Sequence, residues 1–372
     1  ENMKRFDINL FKNCIDVNAK DIEQGDIEMS GIEEKIWLTK NNKKYLYKID
    51  DEKVLGFYEL IVSYLCHKIG VDCVNAYPAI DNNNKQTGVV IESYLTDKHE
   101  TQISLAKLVE KYSDYFVQVD GSRLGYSVEE IEEIVQKLQI LGFEVENNLI
   151  ENLKETCLVD YLLFQYDRHF GNIEFLFSKE NGKDCIRLAP MFDNGRCLNY
   201  DCVTFEDIRC LMGNSEVCLS MTNRQSSDID KVLNSKNIVY FICKEIQNNK
   251  QLNEICSKLL TIDFDKLVDE IVSIYPKKIK QNKIDIIKKT YEIRLNLIKK
   301  YLKIAKLSND EAFLYKSVKN IRVKVPKDLG RENFTILSPN AYDQSIISLK
   351  NRNRIVIDMD EQKDDDIKEL IW

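Results

Sequence analysis

The pattern of hydrophobic and polar residues in the first part of the chain predicts several strands around one helix. Within residues 1–97, apolar residues recur at helical spacing in one segment, 56–68. Gly70 after this segment predicts a helix end. Short runs typical of strands surround this segment, at 35–38, 45–49, 75–79 and 87–91. This stretch therefore predicts a small β-rich unit with one helix.

Most of the next stretch, residues 98–304, has helical spacing. Ser127 with the acidic residues after it forms a capping-box signature, and further helices are predicted over 150–166 and 280–305. Two strand-like runs interrupt the helices, at 173–177 and 185–188, and the polar turn 180–183 joins them. The pattern predicts a larger, mostly helical unit that contains one hairpin.

The last stretch, residues 305–372, alternates at period two over 321–325, and 354–359 is another strand candidate. It predicts a small β-containing appendix, to which the sequence assigns no chemistry. Together the three stretches predict an α+β protein with units at 1–97, 98–304 and 305–372.

Composition narrows the class of protein. The 372 residues are 44% hydrophobic and 31% charged, which is typical of a globular chain with more than one core. The net charge of −8 argues against broad binding to nucleic acid, so we expect no direct nucleic-acid partner.

Cysteine usage and hydropathy indicate a compartment. The eleven cysteines are scattered without a CxxC pair, which favours buried, reduced thiols over a zinc knuckle. The sequence has no apolar run long enough to cross a bilayer and no visible signal peptide. We expect a cytoplasmic protein, with secretion as an effector as the alternative.

A carboxylate and an amide share one short loop after the segment 150–166. Residues 167–172 read DRHFGN, so Asp167 precedes Asn172 by five positions. The hairpin that follows would return the chain to Asp193 and place its carboxylate beside Asn172. Phosphoryl transfer needs a carboxylate near the incoming hydroxyl and oxygen ligands for Mg²⁺. Each motif alone also fits a salt-bridged loop or a simple turn, but their order and spacing favour a phosphoryl-transfer centre.

These motifs resemble the HipA-like kinases and their CtkA-like relatives, whose DRHxxN loop also occurs in phosphoinositide kinases. The resemblance implies a bilobal, protein-kinase-like fold that uses ATP and Mg²⁺. It implies that Asp167 is the catalytic base and that Asn172 and Asp193 hold the metal. His169 is then expected to support the loop.

The same resemblance suggests roles for residues in the first stretch. Ser30, Gly31 and Lys35 match a phosphate-binding loop, although an ordinary turn is the alternative there. Lys48 matches the lysine that neutralises ATP phosphates, with Lys44 as a competitor. Glu59 on the helix would pair with this lysine, or else be an exposed helix residue.

The segment after the strand 87–91 resembles the hinge between two kinase lobes. The backbone of Glu92 and Tyr94 would contact adenine. The family implies a Ser or Thr of a protein as acceptor, an antitoxin-like partner of a bacterial toxin-like kinase, and autophosphorylation at Ser30. A lipid or small-molecule kinase and a pseudokinase scaffold remain the alternative functions.

Overall fold

The structure is a computed structural model. It describes residues 6–28, 35–95, 100–112, 118–119, 122–123, 128–165, 167–168, 170–202, 242–243, 245–307, 321–324, 334–336, 347–349 and 356–359. Ser30, Gly31 and His169 lie outside these residues.

A six-stranded, curled sheet forms the N-terminal lobe, in the order β1-β5-β6-β4-β3-β2. The strands are β1 (Ile15–Asp16), β2 (Glu23–Glu28), β3 (Lys35–Lys40), β4 (Lys43–Ile49), β5 (Ala76–Asp81) and β6 (Gln86–Glu92). All neighbours run antiparallel except β1 and β5. Asn41 and Asn42 join β3 to β4 with φ of 51° and 61°, a left-handed conformation that asparagine tolerates in tight hairpins.

Two helices belong to this lobe, the short α1 (Ile8–Lys12) and the long α2 (Leu55–Ile69). Nearly every side chain of α2 is buried, because the sheet covers one side and a helix of the second lobe covers the other. Gly70 ends α2 with φ 85°, and its N–H donates to the Cys66 carbonyl, as the sequence predicts. Because α2 is packed on both sides, the place of Glu59 relative to the two lobes is fixed.

The second lobe contains a four-stranded sheet, in the order β10-β12-β11-β7. The predicted hairpin forms from β11 (Glu174–Glu180) and β12 (Lys183–Leu188), with Asn181 and Gly182 in the turn. The flanking strands β7 (Thr101–Ser104) and β10 (Glu144–Val145) were not predicted. They are four and two residues long, too short for a period-two pattern to be visible. A short pair, β8 (Gln118–Val119) and β9 (Ser122–Arg123), lies apart from this sheet.

Helices make up most of the rest of this lobe. They are α3 (Leu105–Tyr112), α4 (Val128–Ile140), α5 (Leu149–Leu162), α6 (Lys250–Thr261), α7 (Phe264–Ile274) and α8 (Gln281–Leu307). Helix α5 ends four residues before the predicted 166, because Phe164 adopts φ 50° and turns the chain into the loop that carries Asp167.

Two hydrophobic cores hold the lobes. The larger one joins the N-terminal sheet and α2 to helices of the second lobe, and the smaller one lies between the second sheet, α4 and α5. The predicted α+β class is confirmed. Each of the nine cysteines that the structure describes is a free thiol.

The described part of the C-terminal stretch contains two strand pairs. The predicted strands form β13 (Ile321–Lys324) and β16 (Val356–Met359), which pair antiparallel with each other, and β14 (Phe334–Ile336) pairs with β15 (Ile347–Leu349). Among the described helices, none has both the length and the apolar character of a membrane span.

Candidate active site

Lys48 joins the two lobes through its ammonium group. Its Nζ lies 2.7 Å from Glu59 Oε1 on α2 and 2.8 Å from Asp193 Oδ1 in the segment after β12. The side chains of Lys48 and Glu59 are 7% and 2% exposed. Lys44 in the same strand is exposed, so Lys48, and not its competitor, contacts the two carboxylates.

The segment that carries Asp193 is held from several sides. The Asn194 N–H donates to Glu59 Oε2 at 3.1 Å, and Gln165 Nε2 donates to the Asp193 carbonyl at 3.4 Å. Asp193 itself adopts φ 54°. A β-carbon at Gly195 would lie 3.2 Å from the backbone of Leu55, so this position favours a glycine.

The Asp193 carboxyl is in a form that can bind a cation. Burial by itself would raise the pKa of its carboxyl, but the charge and hydrogen bond of Lys48 outweigh burial. With smaller contributions from Lys35 and Arg168, they lower the pKa to about 2. The carboxylate is therefore ionised at neutral pH, and its side chain is 38% exposed.

Hydrogen bonds within the loop fix the backbone of Asp167. Its N–H donates to Gln165 Oε1 at 3.1 Å, and its carbonyl accepts from Asn172 Nδ2 at 2.9 Å. Its carboxylate Oδ2 lies 3.2 Å from Nη1 of Arg196. Since Nδ2 of Asn172 is a donor, its amide Oδ1 is the atom that can bind a cation.

Arg168 ties this loop to the segment of Asp193. Its guanidinium is 1% exposed and forms an ion pair with Asp160 on α5. It also donates to the carbonyls of Asn172 and Phe192 and to Oδ1 of Asn194. No site role was predicted for Arg168. Its place within DRHFGN, directly after an apolar helix, was the available signal, because a buried guanidinium requires partners.

The predicted hinge lies where the N-terminal sheet leads into the second lobe. The Glu92 N–H donates to the Asn75 carbonyl, and its buried carboxylate accepts from Lys43 and Asn75. The hydroxyl of Tyr94 donates to Glu174 of β11, and its ring lies 5.7 Å from the ring of Phe192. Tyr94 therefore contacts both the second sheet and the segment before Asp193.

The remaining predicted residue in the described part is Lys35. It is the first residue of β3 and pairs with Lys48 across the sheet. Its positive charge contributes to the low pKa of Asp193. Cross-strand partners project to the same face of a sheet, so Lys35 lies on the face from which Lys48 contacts Asp193.

The donor set is consistent with Mg²⁺. No group of three His, Cys, Asp or Glu residues that could hold a metal occurs in the part of the chain that the structure describes. Mg²⁺ is commonly bound by one or two protein oxygens together with the phosphates of a nucleotide. Asp193 and Asn172 offer donors of these types, and the segments that carry them meet at the guanidinium of Arg168, which contacts the carbonyls of Asn172 and Phe192.

Comparisons with known proteins give a fold. No protein-family model matches this sequence, and no curated protein matches it. Among solved structures, the Helicobacter pylori proinflammatory kinase CtkA matches with a TM-score of 0.51 and 18% identity. This match covers 79% of this chain and 99% of that one. HipA, in a Shewanella oneidensis toxin–antitoxin complex with HipB and operator DNA, matches with a TM-score of 0.43 and 13% identity over 80% of this chain and 68% of that one.

The similarity to CtkA establishes the fold, since the match extends over nearly the whole of that protein. About a fifth of this chain lies outside it. The resemblance to CtkA-like kinases that the motifs predicted is thus confirmed for the fold, and this chain has the fold of CtkA.

Proposed function

We propose that this protein is an ATP- and Mg²⁺-dependent phosphotransferase that acts on a Ser or Thr hydroxyl of a protein. The contact of Lys48 with both Glu59 and Asp193 carries the proposal. It places a fixed positive charge beside the carboxylate that would hold the metal. A nucleotide with several negative phosphate oxygens is the ligand that such an arrangement suits.

Each of these residues has its own role in phosphoryl transfer. Lys48, held by Glu59, binds nucleotide phosphates. Asp193 and Asn172 bind Mg²⁺, which, when bound, neutralises charge on the phosphates. Asp167 orients the acceptor hydroxyl and accepts its proton as the hydroxyl oxygen bonds to the γ-phosphorus. The bond from that phosphorus to the β–γ bridging oxygen breaks, and ADP leaves.

The other predicted contacts belong to the same proposal. The backbone of Ser30 and Gly31, followed by Lys35, cradles phosphates. The backbone of Glu92 and Tyr94 contacts adenine, and His169 supports the loop of Asp167. The antitoxin-like partner follows from the family resemblance and the cytoplasmic location from cysteine usage and hydropathy, and both stay predictions.

Transfer of radiolabel from γ-labelled ATP tests the reaction. We expect Asp167→Ala and Asp193→Ala to fold and to lose transfer by about a hundredfold or more. Asp184→Ala is the control, because its side chain is 60% exposed in the β11–β12 hairpin. Full transfer by Asp193→Ala would contradict the proposal.

The choice of acceptor separates a protein kinase from a lipid or small-molecule kinase. We expect label in protein acceptors and none in phosphoinositide vesicles. Label in vesicles but not in proteins would replace the acceptor class and leave the site assignments in place.

A pseudokinase scaffold is the rival from a different functional class. ATP with Mg²⁺ stabilises an enzyme that binds it, by mass action, and raises its melting temperature. No shift of the melting temperature on adding ATP, or the same shift with and without Mg²⁺, would favour the scaffold.

Autophosphorylation at Ser30 is a separate part of the proposal. It predicts that mass spectrometry finds one phosphate in a peptide spanning 29–34 after incubation with ATP and Mg²⁺. The Ser30→Ala variant should lack that phosphate. Absence of phosphate from the wild-type peptide would remove the idea.

A further inference from the structure

We propose that Arg196 is a positioning residue for phosphoryl transfer, which acts by holding the carboxylate of Asp167 in one orientation. This assignment rests on the proposed function. It comes from the ion pair between Arg196 Nη1 and Asp167 Oδ2, at 3.2 Å. Neither the motifs nor the resemblance assigned Arg196 a role.

The backbone around Arg196 is anchored on both sides. Asn194 before it is 1% exposed, and Cys197 and Leu198 after it are fully buried. The Leu198 N–H donates to the Leu163 carbonyl at 2.8 Å, which ties this segment to the end of α5. The fold therefore fixes the backbone from which the Arg196 side chain extends to Asp167.

The other partner is anchored as well. The N–H of Asp167 is held by Gln165, and its carbonyl is held by Asn172. These hydrogen bonds do not fix the rotation of the carboxylate about χ2, a torsion that is broadly distributed in aspartate. A guanidinium on Oδ2 removes that freedom and directs Oδ1 toward the acceptor.

This orientation matters for the proton in the reaction. The acceptor oxygen forms its bond to the γ-phosphorus, the bond to the bridging oxygen of ADP breaks, and the hydroxyl proton passes to Oδ1 of Asp167. Transfer is efficient only when the carboxylate oxygen lies within hydrogen-bond reach of the hydroxyl. Arg196 raises the fraction of molecules in which this holds.

The ion pair between Arg196 and Asp167 contributes little to folding stability. The two side chains are 29% and 31% exposed, and ion pairs at such exposure contribute little to the free energy of folding. A purely structural role therefore predicts no loss of activity from removing Arg196. A positioning role predicts a lower kcat in a protein of unchanged stability.

The experiment measures ADP released from Mg-ATP in the presence of casein, which reports transfer to any acceptor, water included. For Arg196→Met we expect kcat to fall about 10- to 100-fold. The KM for ATP should stay within about threefold and the melting temperature within about 2 °C. Arg196→Lys should recover part of the loss, since lysine keeps the charge but not the planar donor geometry.

A double variant identifies the residue through which Arg196 acts. In an Asp167→Ala background, Arg196→Met should change the residual rate by less than about twofold. Lys288→Ala is the control, because it removes an ion pair between Lys288 of α8 and the exposed Asp269 of α7. It should keep full activity.

The outcomes separate this assignment from the proposed function. An equal loss from Arg196→Met in both backgrounds would mean that Arg196 acts independently of Asp167, and would overturn the assignment. So would an unchanged kcat in an active protein. No ADP release by the wild type would overturn the proposed function and the assignment together.

Discussion

The guanidinium of Arg168 forms a two-point ion pair with the carboxylate of Asp160. Nε lies 3.1 Å from Oδ2 and Nη2 lies 3.3 Å from Oδ1, and both side chains are 1% exposed. Nη1 of Arg168 reaches the carbonyls of Asn172 and Phe192, and Nη2 also reaches Oδ1 of Asn194. One buried pair thus holds the loop of Asp167 against the segment of Asp193.

We predict that Asp160→Asn destabilises the protein strongly. Removing one partner of a buried pair leaves an uncompensated charge and costs about 3 to 5 kcal/mol. Urea denaturation measures the free energy of unfolding. Asp184→Ala, which breaks an exposed pair with Lys179 at 4.0 Å, should cost less than about 0.5 kcal/mol. Equal costs for the two variants would show that the pair of Arg168 and Asp160 is not a structural centre.

Two lysines in β4 allow a matched test of the phosphate-binding role. We predict that Lys48→Met abolishes phosphate transfer and the stabilisation by Mg-ATP, because the charge next to Asp193 is lost. Lys44→Met changes an exposed residue of the same strand and should leave both unchanged. Transfer assays and thermal shifts measure the two effects. Loss of activity with Lys44→Met alone would reverse the assignment of the two lysines.

Gly88 lies in β6 beside the backbone of Lys48. A β-carbon there would lie 2.0 Å from the Lys48 carbonyl oxygen, so β4 would have to shift. We predict that Gly88→Ala lowers the free energy of unfolding by about 2 kcal/mol or more and reduces transfer. Gly25→Ala in β2 is the milder comparison and should cost less, since its β-carbon would lie 3.3 Å from the Trp37 carbonyl, which has to move by only a few tenths of an ångström. A Gly88→Ala protein as stable and active as the wild type would refute this prediction.

Glu155 on α5 predicts a pH dependence of stability. Burial raises the pKa of its carboxyl from 4.5 to about 7, although Gln251 donates a hydrogen bond that opposes the rise. The native state then keeps this proton to higher pH than the unfolded chain does. The contribution to stability is therefore lost as pH rises from 4.5 through 7.

Glu155→Gln stays neutral and can still accept from Gln251. We predict that its free energy of unfolding, relative to the wild type, grows by about 2 to 3 kcal/mol between pH 4.5 and pH 8. Denaturation curves across this range measure the difference. Parallel curves for the two proteins would exclude a raised pKa at Glu155.

The sequence by itself determined the elements whose signals are local. Helix α2 with its Gly70 end, the β11–β12 hairpin and the long α8 follow from spacing and turn residues that lie close together in the chain. The DRHFGN loop was visible because its chemistry lies within six consecutive residues. The short strands β7 and β10 were not visible, since they exist only by pairing with distant strands.

Only the tertiary structure decided which residues meet. Lys48 and Asp193 are 145 positions apart, and their contact depends on how α2 packs between the sheet and the second lobe. The same packing chose Lys48 over Lys44, buried Arg168 beside Asp160 and brought Arg196 to Asp167. Periodicity assigns a side chain to a face of its own element, but the partner on that face is set by burial of the whole core.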